Sequence, residues 1–160
     1  MAGGRAGRSA DARASAGLTL ELERVLPAAR DVVFGALRDP SELARWWGPR
    51  GFTVLSLRFQ PHVGERYRIE MQPPDGDPFH LTGEFREVDP PARLAFTFVW
   101  KDPDPDDVET LASLAFRDLG ESTEVALTQG PFKTEARRAL HRDGWGDSFD
   151  KLERQLPARV

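Results

Sequence analysis

After residue 51, apolar and polar side chains alternate with a period of two residues, and this pattern continues for about 80 residues. Tyr67, Ile69 and Met71, for example, share one parity, while charged residues occupy the other. This pattern is typical of strands with one buried face. The connections are short and rich in Pro, Gly and Asp, so we expect an antiparallel meander. The predicted strands lie near residues 52–59, 65–72, 79–88, 93–100, 108–117 and 122–129.

A further strand and two short helices are predicted upstream of this region. Four leucines of one parity predict a strand over 18–26. Apolar residues at helical spacing predict a helix over about 28–38. A second helix is predicted over 40–46, with Asp39 as its N-cap and Glu42 completing a capping box.

The period becomes helical again near the end of the chain. Trp145, Phe149, Leu152 and Leu156 recur at helical spacing, with charged residues between them, and predict a helix over 134–156. A helix of this length measures roughly 35 Å. After seven antiparallel strands, its apolar stripe is best buried across the concave face of the twisted sheet.

Together these elements predict an α+β helix-grip fold. A curved, seven-stranded antiparallel sheet wraps around one long C-terminal helix, and two short helices follow the first strand. We expect residues 18–156 to form a single domain. Residues 1–17 contain no large apolar side chain, so we expect them to form a disordered tail.

Composition excludes several classes of function. The net charge of −4 argues against a general nucleic-acid binder, which needs clustered Lys and Arg. The absence of cysteine removes disulfides, thiolate catalysis and cysteine-ligated zinc, and fits a reducing compartment. No apolar run approaches the ~20 residues that would span a bilayer. We therefore expect a cytoplasmic protein without membrane insertion.

At this point the sequence resembles a known superfamily, the Bet v 1-like or START-like (SRPBCC) proteins. Within it, the chain is most similar to the branch related to the activator of the heat-shock-protein-90 ATPase. The resemblance covers about 18–156, and its most specific motif is Trp46-Trp47-Gly48-Pro49. The other motifs that carry it are Arg24, the segment 33–40 (VFGALRDP), Arg50-Gly51-Phe52, Met71, Pro74-Asp75-Gly76, Gly83, Pro90-Pro91-Ala92-Arg93-Leu94, Gly144-Trp145, Leu152 and Leu156.

The resemblance implies a cavity between sheet and helix, but the superfamily includes carriers, hormone-binding proteins, cyclases and chaperone activators. The function must therefore be inferred from the residues of the site and not from the fold. Our leading hypothesis is a module that binds a small apolar or aromatic ligand, without a cofactor. The inward-facing side chains predicted to line the ligand cavity are Trp47, Phe59, Tyr67, Ile69, Phe85, Phe96, Phe98, His141 and Trp145.

Two alternatives stay open. The first is a cyclase-type or hydrolase-type enzyme that uses His141 and Tyr67 as acid–base groups. The second is a protein-interaction module that stimulates a chaperone ATPase or pairs with a second copy of itself. Two facing titratable groups in the cavity would favour the enzyme, whereas an apolar patch on the outer face of the sheet would favour the interaction module.

Several residues have a structural reading beside the functional one. Trp46 and Trp47 cannot share one face of a helix, so we expect one in the core and the other at the cavity mouth. Gly144 and Gly146 interrupt the last helix, which indicates close approach of a neighbouring strand or, alternatively, a ligand. His141 is either a cavity group or a histidine at the surface edge.

Charged residues complete the set of candidates. Arg24 shares the inward face of the first strand, which predicts a buried ion pair with an unidentified carboxylate. The acidic segment 102–107 lacks the Gly and Glu positions of a calcium loop, so it is interpreted as a solvated hairpin loop. Three scattered histidines without cysteine do not suggest a metal site.

Overall fold

The computed structural model describes residues 18–156, which form seven strands and three helices. The predicted α+β helix-grip fold is confirmed, and the predicted bounds lie within a few residues of those observed. The predicted tail, residues 1–17, lies outside the described residues. The strands are β1 (Leu18–Leu26), β2 (Thr53–Arg58), β3 (Arg66–Gln72), β4 (Phe79–Asp89), β5 (Arg93–Trp100), β6 (Thr110–Asp118) and β7 (Thr123–Phe132). The helices are α1 (Arg30–Arg38), α2 (Pro40–Trp46) and α3 (Glu135–Gln155).

The strands form one antiparallel sheet in the order β1-β7-β6-β5-β4-β3-β2. Strands β2 to β7 follow one another as a meander, and β1 pairs with the last of them. Leu22 lies opposite Leu127 in that pairing, so β1 and β7 turn their leucines to the same face of the sheet. The alternation seen in the sequence is thus the alternation between the helix-facing and outer faces of the sheet.

Helix α3 packs against β1, β7 and α2. The side-chain oxygen of Thr134 accepts the backbone N–H of Arg137 at 3.1 Å and caps the helix. The predicted stripe of Trp145, Phe149 and Leu152 is buried against the sheet. At 1.5 Å per residue, α3 extends over about 32 Å, which lets one helix cover both a packed region and a cleft.

Asp39 caps α2 as predicted, and its carboxylate accepts the backbone N–H groups of Ser41 at 2.9 Å and Glu42 at 3.4 Å. The predicted capping box is wrong in its second half. The N–H of Asp39 already donates to the carbonyl of Gly35, so it is not available to the Glu42 side chain.

Four aromatic rings fill one end of the space between the sheet and the helices. Phe59, Tyr67, Phe85 and Phe96 are each at most 2% exposed, and their ring centroids lie 4.9 to 6.1 Å apart. Full burial of such a side chain contributes about 1.5–3 kcal/mol. This cluster is therefore solid core.

The predicted burial of Arg24 is only partly correct. Its guanidinium lies 2.9 Å from a carboxylate oxygen of Asp150 and 3.5 Å from one of Glu153, both on α3. The side chain is 27% exposed, because the helix passes the edge of β1 without covering it. Arg24 thus forms an ion pair with identified partners, but one that water reaches.

The expected strand approach at the helical glycines is wrong. A Cβ at Gly144 would meet Pro49 Cγ at 3.5 Å, which is an ordinary contact with a loop. A Cβ at Gly146 would meet nothing within 4 Å. Close backbone approach occurs instead at Gly83 in β4, where a Cβ would clash with the carbonyl oxygen of Thr97.

Candidate functional site

A cleft of about 360 Å³ lies where α3, the segment after α2 and the ends of several strands meet. Large apolar side chains form most of its walls. Polar and charged side chains border it mainly along α3 and the connection between β5 and β6. The large apolar lining residues are Trp47, Phe52, Met71, Phe79, Phe98, Trp100, Leu140 and Trp145.

The segment that follows α2 forms one wall of the cleft. Gly48 has a φ of +99°, which a residue with a Cβ rarely adopts, and this conformation turns the chain away from the helix. Ser148 of α3 fixes the turn, because its hydroxyl accepts the N–H of Gly48 and lies 3.0 Å from the carbonyl oxygen of the same residue. The adjacent tryptophan is thereby held against the helix.

Lys151 of α3 binds the residues before and after Gly48. Its ammonium lies 3.4 Å from the carbonyl oxygen of Trp47 and 3.3 Å from that of Pro49. Partial burial lowers the pKa of Lys151, while the nearby carboxylate of Asp147 acts in the opposite direction. Two α3 side chains, of Ser148 and Lys151, therefore position the wall.

Trp46 and Trp47 separate as the sequence predicts. The indole N–H of Trp46 donates to the carbonyl of Ala36 at 3.0 Å, which places this ring in the core between α1 and α2. Trp47 borders the cleft and lies edge-on to Trp145, with ring centroids 5.3 Å apart.

His141 is a buried group of the cleft, so the surface-edge interpretation is wrong. It is 9% exposed, and its ring contacts those of Phe98, Trp100 and Phe132. Its Nδ1 lies 2.8 Å from the carbonyl oxygen of Arg137. Because a carbonyl only accepts, Nδ1 carries the hydrogen and Nε2 is the acceptor of the neutral ring. Burial lowers the pKa of His141, which favours that neutral form.

The acidic connection between β5 and β6 is attached to α3. The guanidinium of Arg137 lies 2.8 Å from a carboxylate oxygen of Asp104 and 3.4 Å from one of Asp107. The ammonium of Lys133 donates to the carbonyl of Pro105 at 3.0 Å. The interpretation as a merely solvated loop is therefore incomplete, since these contacts make the loop one rim of the cleft.

Trp145 is held by a buried polar chain. Its indole N–H donates to the side-chain oxygen of Gln129, and the amide of Gln129 donates to the hydroxyl of Thr110. Both partners lie on the sheet and are at most 4% exposed. The ring is thereby fixed between core and cleft.

The sequence profile of the family described as "Activator of Hsp90 ATPase homolog 1-like protein" matches residues 27–156. The chain belongs to this family. The match extends from the start of the turn before α1 to the last residue that the structure describes. The predicted resemblance to the AHSA1-like branch of the Bet v 1-like superfamily is thus confirmed.

Solved structures agree with the AHSA1-like assignment. A protein from Chromobacterium violaceum is 24% identical with a TM-score of 0.80, and the alignment covers 88% of this chain and 98% of that one. An AHSA1 protein from Silicibacter pomeroyi is 24% identical with a TM-score of 0.77, covering 86% and 96%. A protein from Nitrosomonas europaea is 26% identical with a TM-score of 0.73, covering 86% and 92%. A search of curated proteins found no match.

The structure brings together four of the nine residues predicted to line the cavity. Trp47, Phe98, His141 and Trp145 border the cleft. The other five do not border it, and each is at most 2% exposed within the packed core. The prediction that they line the cavity is wrong, because neighbouring side chains fill the space in front of them. These five are Phe59, Tyr67, Ile69, Phe85 and Phe96.

Tyr67 and His141 also have different hydrogen-bond partners. Its hydroxyl donates to the carbonyl of Thr97 at 2.6 Å, inside the aromatic core. Burial raises the pKa of Tyr67 well above its usual range, so the phenol stays protonated. The predicted acid–base pair is therefore not assembled in the cleft.

Sequence reasoning missed several lining residues at the ends of strands and on α3. Met71, Phe79 and Trp100 lie where the meander opens beyond the packed core, and Arg137 lies one helical turn before His141. The inward parity of Met71 and Trp100 was a usable signal. No sequence signal pointed to Arg137, because its place in the cleft depends on where the β5–β6 connection lies.

The described residues contain neither a cluster of metal ligands nor a helix that could span a membrane. Among residues 18–156, no group of three or more His, Cys, Asp or Glu side chains is placed to hold a metal ion. Over the same residues, no helix combines the length and apolar character needed to cross a bilayer.

Proposed function

We propose that the cleft binds a small, mainly apolar organic molecule. The observation that carries this proposal is the aromatic wall formed by Trp47, Phe98, Trp100 and Trp145 around a volume of about 360 Å³. Sites for small organic molecules are mostly apolar, occupy about 300–1,000 Å³ and contain a few placed polar groups. The cleft has each of these properties.

Energetics support the same conclusion. Apolar surface removed from water contributes roughly 25 cal/mol per Å². A ligand that lies against the rings of Trp47 and Trp145 gains this term without rearranging the protein, because Gln129 and Ser148 already fix the walls. A wall positioned before binding lowers the entropic cost of association.

The alternatives receive less support from the described residues. An enzyme of the predicted kind needs an acid–base pair, and Tyr67 lies outside the cleft. A chaperone-stimulating module, as the family description suggests, needs an exposed apolar patch. The large apolar side chains exposed between residues 18 and 156 each lie in a different element or loop, namely Val25, Val32, Leu55, Val63, Val108, Leu111, Leu119 and Leu140.

The test combines native mass spectrometry of freshly purified protein with titration of naphthalene and octanoic acid, followed by tryptophan fluorescence. The fluorescence reports directly, because Trp47 and Trp145 border the cleft. We expect saturable binding of at least one probe, with a negative heat-capacity change by calorimetry.

Two helical glycines provide a matched pair of variants. Gly144 borders the cleft, so Gly144→Leu places a side chain in it and should abolish binding. Gly146 does not border it and has open space around it, so Gly146→Leu should bind as the unsubstituted chain does. If neither probe binds the unsubstituted protein and no molecule co-purifies, the proposal is wrong and the interaction module gains support.

A further inference from the structure

The aromatic walls of the cleft contain a buried donor that has no partner within residues 18–156. Three indoles are at most 5% exposed, and two of them donate to protein acceptors: Trp46 to Ala36 and Trp145 to Gln129. The third, Trp47, is 4% exposed, and its Nε1 has no acceptor among residues 18–156. A buried donor left unpaired costs about 1–3 kcal/mol.

The surroundings of Trp47 indicate where its acceptor must come from. Its ring is packed against other aromatic rings of the core and of α3, and these offer no oxygen acceptor. The cleft is the remaining neighbour that can supply one. The rings in contact with Trp47 are those of Trp46, Phe59, Phe96, Phe98 and Trp145.

A buried acceptor that no donor of the described residues reaches borders the same cleft. Nδ1 of His141 is bound to the carbonyl of Arg137, which leaves the lone pair of Nε2. No donor within residues 18–156 reaches Nε2, and the neighbouring rings of Phe98, Trp100 and Phe132 surround the imidazole. The rings of Trp47 and His141 both contact the ring of Phe98, so the two residues are neighbours of one ring of the wall.

Two other polar side chains of the cleft, those of Ser148 and Arg137, already have partners. Ser148 is bound to Gly48 and to the carbonyl of Gly144. The charge of Arg137 is balanced by Asp104 and Asp107 at the rim. Among the buried cleft residues within 18–156, the contacts thus leave one donor and one acceptor without a partner. These buried residues include no Asp, Glu, Lys or Arg, so a charged ligand would lose hydration there without compensation.

Building on the proposed function, we propose that the ligand is a neutral hydroxylated aromatic compound. Its oxygen accepts a hydrogen bond from Nε1 of Trp47, and its hydroxyl donates one to Nε2 of His141. The flat ring of such a compound lies against the aromatic walls, and its polar group satisfies both unpaired atoms. A plain hydrocarbon would bury both atoms without a partner.

Three probes of similar shape separate these contributions. Naphthalene has no hydrogen-bonding group, 2-methoxynaphthalene only accepts, and 2-naphthol accepts and donates. Calorimetry at about pH 7.5, where an imidazole is neutral, should rank them in that order of increasing affinity. Each added hydrogen bond should tighten binding about fivefold.

Substitutions show which residue makes each of the two proposed hydrogen bonds. His141→Phe keeps an aromatic ring but removes the acceptor, so 2-naphthol should fall to the affinity of 2-methoxynaphthalene. His141→Gln restores an acceptor and should recover part of the difference. Trp47→Phe removes the donor and should abolish the advantage of 2-methoxynaphthalene over naphthalene. Met71→Leu, also in the wall, should change all three affinities alike.

The possible outcomes separate failure of the proposed ligand class from failure of the proposed function. If the three probes bind the unsubstituted protein equally, the cleft binds apolar molecules but the ligand class proposed here is wrong. If the ranking appears and survives both His141→Phe and Trp47→Phe, the two assigned atoms are wrong. If none of the three probes binds, this inference is overturned, and the proposed function falls with it only if octanoic acid also fails to bind and no molecule co-purifies.

Discussion

The indole Nε1 of Trp145 donates a 2.7 Å hydrogen bond to the side-chain oxygen of Gln129. This bond connects the middle of α3 to β7 in a region that water does not reach. Gln129 in turn donates to Thr110 on β6, so one amide connects three elements. The ring that borders the cleft is therefore positioned by sheet residues that do not themselves border it.

We expect Gln129→Leu to destabilise the fold. The substitution leaves the N–H of Trp145 buried without an acceptor, which costs about 1–3 kcal/mol. Urea denaturation measures the loss. Gln60→Leu, at an exposed position, is the control and should change stability by less than about 0.5 kcal/mol. In the double variant with Trp145→Phe the cost of Gln129→Leu should shrink, and strict additivity would contradict the coupling.

We expect Arg24→Met to cost about 1 kcal/mol, because exposed ion pairs contribute little even when two carboxylates are close. A fully buried pair would cost roughly 3–5 kcal/mol when broken, and the 27% exposure of Arg24 rules out that regime. Arg142→Met is the control, since Arg142 is exposed and forms no ion pair within residues 18–156. A loss above about 3 kcal/mol, unaffected by salt, would show that water does not reach the pair.

The fold could be predicted from the sequence because burial on one face imposes a period. The inward residues of β3 and the stripe of α3 both follow from parity or helical spacing alone. The cleft could be predicted less well. Phe96 and Phe98 have the same parity on β5, yet the first belongs to the packed core and the second borders the cleft.

That difference depends on which side chains oppose each position. Phe59 and Phe85 lie against Phe96, whereas the rings of His141 and Trp145, which border the cleft, lie against Phe98. No local pattern encodes such long-range placement. The glycines show the same limit, because a glycine in a helix indicates missing volume without indicating whether a strand, a loop or open space adjoins it.

Gly83 and Gly146 should respond in opposite ways to the same substitution. Gly83→Ala places a Cβ against the carbonyl oxygen of Thr97, so close that the backbone must shift to relieve the clash. We expect a loss of several kcal/mol or failure to fold. Gly146→Ala meets nothing within 4 Å and should stabilise the helix by about 0.5–1 kcal/mol. Thermal melts of the two variants measure both effects, and destabilisation by Gly146→Ala would contradict the open surroundings.

The pH dependence of stability should report the buried imidazole. Burial lowers the pKa of His141 below the ordinary value of 6.5. Below pH 6.5 the unfolded chain therefore binds a proton at this imidazole while the folded chain does not. The free energy of unfolding consequently decreases as the pH is lowered. The charged groups that face the ring act in opposite directions, Asp107 raising its pKa and Arg137 lowering it.

Urea denaturation of the unsubstituted protein and of His141→Phe, from neutral pH down through pH 6.5, tests this expectation. The variant has no proton to take up at this position, so its stability should fall less over the same interval. His62→Gln, which removes an imidazole at an exposed position, is the matched control variant. The carboxyl of Asp39 does not interfere, since the hydrogen bond from Ser41 lowers its pKa below 3.8. Equal pH profiles for the unsubstituted protein and His141→Phe would show that the imidazole reaches water when the chain is folded. In that case His141 would no longer be a buried acceptor for a ligand hydroxyl.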